Sequence, residues 1–159
     1  KQRNGLRMTQ LNKKAKYLSE MLDEANKATD PVQCLKDFIA QDPRLTSILG
    51  YAINPKWNIS TVLPDGVPPY TESDLPLGMA ALDLLKLHSK IYIMFNPELK
   101  QFKKEEFFIK WIESMHPTDV GIFIAVKDQN LESLYPNLTK TVVHYALGWT
   151  KEQFDSLFV

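Results

Sequence analysis

Lys103-Lys104-Glu105-Glu106-Phe107-Phe108-Ile109-Lys110-Trp111-Ile112-Glu113-Ser114-Met115-His116-Pro117-Thr118-Asp119-Val120-Gly121-Ile122-Phe123-Ile124-Ala125-Val126-Lys127 is the stretch on which the fold class turns. Phe107, Phe108, Trp111, Ile112 and Met115 recur at the three- and four-residue steps of one helix face. Lys104, Glu106, Lys110 and Glu113 fall largely elsewhere, so an amphipathic helix is predicted over Lys103 to Met115. Pro117 suits the first position of a second helix, because its missing N–H would have no partner there anyway. Val120, Phe123, Ile124 and Val126 carry that helix to Lys127. A short strand at Ile122-Phe123-Ile124 stays open, since a brief apolar run fits either state.

The same reading extends upstream. Leu11, Ala15, Leu18, Leu22 and Ala25 are spaced four, three, four, three, which places them on one stripe of a helix from about Arg7 to Ala28. Two heptads are too few for an independent coiled coil, so that stripe must lie on the chain's own core or on a partner. Asp30-Pro31-Val32-Gln33 is a helix start, with Leu35, Phe38 and Ile39 as the inner face. Asp42-Pro43 opens another, through Leu45, Ile48 and Leu49, and Pro55 discourages continuation beyond Asn54. Ser73-Asp74 is read as opening a long helix from about Pro76 to Phe95. Its apolar residues lie on nearly every side, which predicts the central buried helix of a bundle. Ile91 to Phe95 is β-prone and leaves a second short strand open.

Between these lies a segment of different texture, residues 56–76. Four prolines fall between 64 and 76, Asp65-Gly66 is a turn signal, and Val67 to Tyr70 is predicted to be extended. A connection this long inside one domain is uncommon. It is read either as a docking segment or as a strap laying Trp57, Leu63 and Tyr70 over the core. Downstream, Thr139 to Leu147 reads as a helix closed by Gly148, and Thr150-Lys151-Glu152-Gln153 as a capping box for a last turn carrying Phe154, Leu157 and Phe158. The expected fold class is therefore all-α: a compact domain of six to seven helices over residues 17–159, preceded by a basic arm over residues 1–16.

A chain of 159 residues suits one such domain, which buries roughly two-thirds of its unfolded surface. Nothing resembles an export signal or a membrane-spanning run, so no membrane association is expected. Cys34 is the only cysteine, which excludes an internal disulfide and a cysteine-rich zinc site. Net charge is zero, yet Lys1, Arg3, Arg7, Lys13, Lys14 and Lys16 give residues 1–16 six positive charges and no acid, leaving −6 on the rest. Such an end is either solvated or grips phosphates.

Reactive chemistry is sparse in the pattern. His88, His116 and His144 are nowhere at the helical spacing of a metal pair, and each is read as structural, His116 at a helix entrance. The neighbours Asp23-Glu24 and Glu105-Glu106 diverge on a helix. No glycine-rich phosphate cradle occurs. The expectation is thus a non-enzymatic protein with no cofactor and no metal site. The candidate partner-binding residues are Leu11, Leu18, Leu22, Trp57, Asp65, Pro68, Pro69 and Tyr70. For nucleic acid the candidates are Lys1, Arg3, Arg7, Lys13, Lys14, Lys16, Lys100, Lys103 and Lys104, with Tyr17 and Phe102 available to stack on bases.

Four blocks carry a resemblance. Leu63-Pro64-Asp65-Gly66-Val67-Pro68-Pro69-Tyr70 is followed by Trp111-Ile112-Glu113-Ser114-Met115-His116-Pro117-Thr118-Asp119. Ala125-Val126-Lys127-Asp128-Gln129-Asn130-Leu131 and Leu138-Thr139-Lys140 then complete the series. In order and spacing, from roughly Met21 to Gly148, these are similar to a family of uncharacterised small proteins of tailed phages related to the T-even group. The resemblance implies a phage origin and transfers no catalytic residue; residues 1–16 and those after Gly148 depart from it. Together these features predict a phage accessory protein in the host cytoplasm that binds a larger protein or nucleoprotein assembly. DNA or RNA binding and a minor virion role are the alternatives.

Overall fold

The computed structural model describes residues 16–149 and Glu152. Among them are seven α-helices and no strand: α1 (Leu18–Lys27), α2 (Pro31–Gln41), α3 (Arg44–Ile53), α4 (Leu84–Leu87), α5 (Gln101–Glu113), α6 (Pro117–Lys127) and α7 (Lys140–Ala146). Short 3-10 turns occupy Pro55–Trp57, Ile59–Thr61, Ile91–Phe95 and Leu131–Ser133. The all-α class holds, and both open strand alternatives are resolved as helical: Ile122–Ile124 lies within α6 and Ile91–Phe95 is a 3-10 turn. Leu11 and Ala15, the basic residues Lys1, Arg3, Arg7, Lys13 and Lys14, and the turn through Phe158 lie outside the described residues.

Helix starts follow their caps. Asp30 accepts the Gln33 N–H at 3.1 Å, with Pro31 in the first turn of α2. Thr139 Oγ1 accepts from Val142 N–H at the head of α7, and Gly148 closes it at φ +82°. Glu20 accepts the Tyr17 N–H and so starts α1 at Leu18. The stripe survives within that helix: Leu18, Met21, Leu22 and Ala25 are all buried.

Helix α3 sits at the centre, packed against α2, α4, α6 and α7. Its buried residues Leu45, Ile48, Leu49, Ala52 and Ile53 cover more than one face, as four neighbours require. The other interior helix is α6, which buries Val120, Ile122, Phe123, Ala125 and Val126. Phe108 and Phe123 meet edge to face at 5.3 Å across the α5–α6 contact.

The predicted long helix over Pro76 to Phe95 does not form, and the central place expected for it belongs to α3 and α6. Only Leu84–Leu87 is α-helical there. The cause is competition for backbone donors. Leu82 N–H is taken by Ser114 O and Leu84 N–H by the Asp119 carboxylate, partners outside the segment, so the i−4 carbonyls of a continuous helix go unused. Gly78 turns with φ +89°. All-round apolarity had a different source: Leu84, Leu85, Leu87, Ile91 and Met94 are buried from a short helix and a separate 3-10 turn rather than from one long helix.

Candidate functional site

The proline strap is held down by residues far along the chain. Lys127 is fully buried, and its Nζ donates to Pro64 O at 2.7 Å and pairs with Asp128 Oδ1. Asp128 Oδ2 accepts from Gly66 N–H at 3.2 Å, where Gly66 takes the left-handed conformation that the Asp65-Gly66 turn demands. Glu113 accepts from Thr71 N–H at 2.9 Å further on. Gln129, itself at φ +53°, donates from Nε2 to Tyr51 O and Asn54 O, carbonyls at the end of α3. Lys127, Asp128 and Gln129 are thus occupied with positioning.

Beside the end of α3 is a shallow groove of about 230 Å3 lined by Ser47, Gly50, Tyr51, Asn54, Trp57 and Tyr92. Trp57 is 46% exposed and Tyr92 61% exposed. Trp57 is held in place by neighbouring rings. Trp57 meets the Phe95 ring edge-on at 5.1 Å, and Phe95 stacks on Tyr51 at 6.2 Å. Gly50 leaves the floor open, because no atom lies within 4 Å of where a Cβ would stand. Burial raises the Tyr51 hydroxyl pKa, keeping it a neutral donor.

The residues proposed for partner binding do not share one surface. Leu18 and Leu22 are 2% and 0% exposed, so the α1 stripe is spent on the chain's own core and is not a docking face. Of the strap, Asp65 and Pro68 line a small dent with Glu105, Phe108 and Ile109. Pro69 is exposed, and Tyr70 is half-buried against the core with its hydroxyl beside Glu72. Leu63 is buried, as a strap requires, whereas Trp57 is not laid over the core and lines the groove instead.

The basic candidates are equally divided. Lys100 and Lys103 are exposed at the head of α5, flanking Phe102, which is 61% exposed. Lys103 lies over the Phe102 ring and also bonds Glu106. Lys104, on the same helix, is buried and so is not presented to a phosphate. Lys16 lies apart from them, beside Glu24 at 3.5 Å.

One juxtaposition escaped the sequence reading. Arg44, Asp83, His116 and Asp119, from three different stretches, line one cleft of about 160 Å3. His116 does cap α6, as expected, through Nδ1 accepting from Thr118 N–H. Asp119 is 3% exposed and its pKa is raised, chiefly by burial, against the Leu84 N–H bond that lowers it. Asp42 is shifted the other way, held low by its paired bonds from the Arg44 guanidinium. No hydrogen bond joins His116 to Asp83 or Asp119 among the described residues. No helix of the described residues is long and apolar enough to cross a membrane.

A family model described as a family of unknown function (DUF6433) matches residues 11–133. No curated protein and no solved structure matches the chain.

Proposed function

The chain belongs to that family of unknown function, and from its own surface we propose that it is a non-enzymatic binding protein, a phage accessory factor that docks on a larger assembly through the Trp57–Tyr92 groove. The observation that carries this reading is Trp57, held by the Phe95 ring yet left in water, with exposed Tyr92 lining the same open-floored groove. Trp and Tyr dominate binding energies at interfaces because they bury large area while losing few rotamers. Here the Phe95 and Tyr51 rings already fix Trp57, so less ordering is needed on binding. Asn54 and Ser47 supply polar groups at the groove edge for a partner's backbone. The phage setting, and with it the host cytoplasm, is supported by the motif resemblance.

A photo-crosslinking residue placed at position 92 tests this in infected cells, with the same residue at exposed Leu134 as control. The reading expects one adduct from position 92, absent from position 134. The purified adduct partner should then bind the chain, and Trp57→Ala should weaken it at least tenfold. Equal labelling from both positions, or an affinity unchanged by Trp57→Ala, overturns it.

A second reading, nucleic-acid binding, is favoured by exposed Phe102 between Lys100 and Lys103, a stacking ring beside phosphate-seeking charges. Glu98, Glu105 and Glu106 close by offset that charge, which ranks it second. A minor virion role is the third reading, and mass spectrometry of purified particles decides it.

A further inference from the structure

We propose that the cleft where α1, α3, α4 and α6 begin is a binding site for a small zwitterion, a molecule with a primary ammonium group and a carboxylate on a short aliphatic body. It goes beyond the docking role and uses none of the groove residues. The ammonium end is argued from Asp119. This carboxylate is 3% exposed, uses Oδ2 for Leu84 N–H at 3.0 Å, and has no cationic side chain in ion-pair range among the described residues. Asp83 lines the same cleft and adds a second negative charge, its Oδ1 capping Lys86 N–H. His116 forms no ion pair with Asp119 or Asp83 among the described residues, and its Nδ1 is engaged as the acceptor of the Thr118 backbone N–H. A buried carboxylate of this kind favours a ligand that brings its own positive charge.

The carboxylate end is argued from Arg44 and Lys16, which line the same space. Arg44 gives Nε and Nη2 to Asp42 at 2.9 and 2.7 Å, which locks the guanidinium plane and leaves Nη1 outside that pair. Lys16 is paired only loosely, 3.5 Å from the half-exposed Glu24. Leu77, Leu82 and Leu85 complete an apolar wall suited to a short alkyl body. A molecule with one end alone would leave either Asp119 or the Arg44 Nη1 edge and Lys16 without a counterpart, which is the basis of the selectivity expected.

The experiment follows backbone amide shifts of the purified full-length chain by NMR during titration. The probes are free leucine, free alanine and 5-aminopentanoate, with 3-methylbutylamine and 4-methylpentanoate as one-ended counterparts of leucine. At least one zwitterion is expected to shift Gly78, Leu84 and Asp119 saturably, with Kd of about 1 mM or tighter. Both one-ended compounds should bind at least tenfold more weakly, and Asp119→Asn should weaken the zwitterion at least tenfold. Should Asp119→Asn fail to fold, Ala80→Phe fills the cleft from its rim without touching the Leu84 bond, and it should abolish the shifts. Absence of saturable shifts with every zwitterion overturns the proposal. So does an amine that binds as well as leucine, or shifts that persist in Ala80→Phe.

Discussion

Lys127 Nζ stands 2.7 Å from the carbonyl oxygen of Pro64, so a fully buried ammonium at the end of α6 fastens a strap sixty-three residues upstream. Its charge is balanced by Asp128, which in turn holds Gly66. Removing one partner of a buried pair costs more than the pair contributes, because the other is left uncompensated. Lys127→Met is therefore expected to lower unfolding free energy by about 3 kcal/mol, toward the low end for such pairs because Asp128 keeps some solvent contact. Lys127→Met with Asp128→Asn should cost less than the sum of the single changes in urea denaturation. Strict additivity would mean the two do not act as a unit.

Gln129 combines a strained backbone with two side-chain bonds, and substitution separates them. Gln129→Ala loses both Nε2 bonds and keeps the left-handed φ, an expected cost of about 2 kcal/mol from the bonds. Gln129→Gly loses the same bonds but accepts that φ freely, so it should be the more stable variant by about 1 kcal/mol. Chemical denaturation of the pair settles the order. An Ala variant as stable as the Gly variant would show that the backbone at 129 carries no strain.

Asp119 sets a pH dependence whose sign is fixed by the direction of its shift. Burial raises its folded pKa above the ordinary 3.8, so between those two values the folded state holds a proton that the unfolded chain has lost. Stability from this group is full below 3.8 and is lost as pH rises through the window to the raised value. Asp42 runs oppositely: its folded pKa is lowered by the Arg44 pair, so its stabilisation is present above 3.8 and lost as pH falls through the lowered value. Asp119→Asn keeps an acceptor for Leu84 N–H and removes the titration. Relative to the unaltered chain, the variant should gain stability as pH rises from 3.8 through that window. Parallel stability–pH curves for the two proteins would contradict the assignment.

Gly78 lies where α1 meets the cleft rim. At φ +89° a Cβ would run into the Tyr17 hydroxyl and ring, so Gly78→Ala should displace Tyr17 as well as strain the backbone. Adding Tyr17→Ala should relieve the collision but not the strain, recovering only part of the lost melting temperature. Full recovery would assign the whole effect to the ring.

Where sequence and structure agree, the signals are local. Asp30, Thr139, Pro117 and Gly148 act within one helical turn, and the helices they bound appear in place. Where they diverge, a distant partner decided. Nothing near Leu84 announces that its N–H belongs to Asp119, thirty-five residues away, so the apolar stretch from Pro76 to Phe95 read as one helix. Leu18 and Leu22 were legible as a seam, but whether a seam meets self or partner depends on packing that spacing does not encode. The aromatic groove brings together Trp57 and Tyr92, and the cleft joins Arg44 to Asp119, so neither leaves a motif. Gln129 lies within Ala125–Leu131 with no local signal of the Tyr51 and Asn54 carbonyls it serves.

The basic end gives the last expectation, which separates nucleic-acid binding from simple solvation. Six positive charges in residues 1–16 contacting six phosphates would give a log–log salt slope of about −5 on duplex DNA. Lys104 is buried, so Lys104→Gln should leave that slope unchanged, although it sits in sequence between exposed Lys103 and the acidic pair. Lys100→Gln, at an exposed site, should reduce the slope by about one if the head of α5 joins the contact. Phe102→Ala should weaken single strands and spare duplex, since a ring stacks only on bases it can reach. Fluorescence anisotropy across a salt series reads all three. Duplex affinity independent of salt would remove the phosphate contacts altogether, and a slope changed by Lys104→Gln would mean that α5 opens when DNA binds.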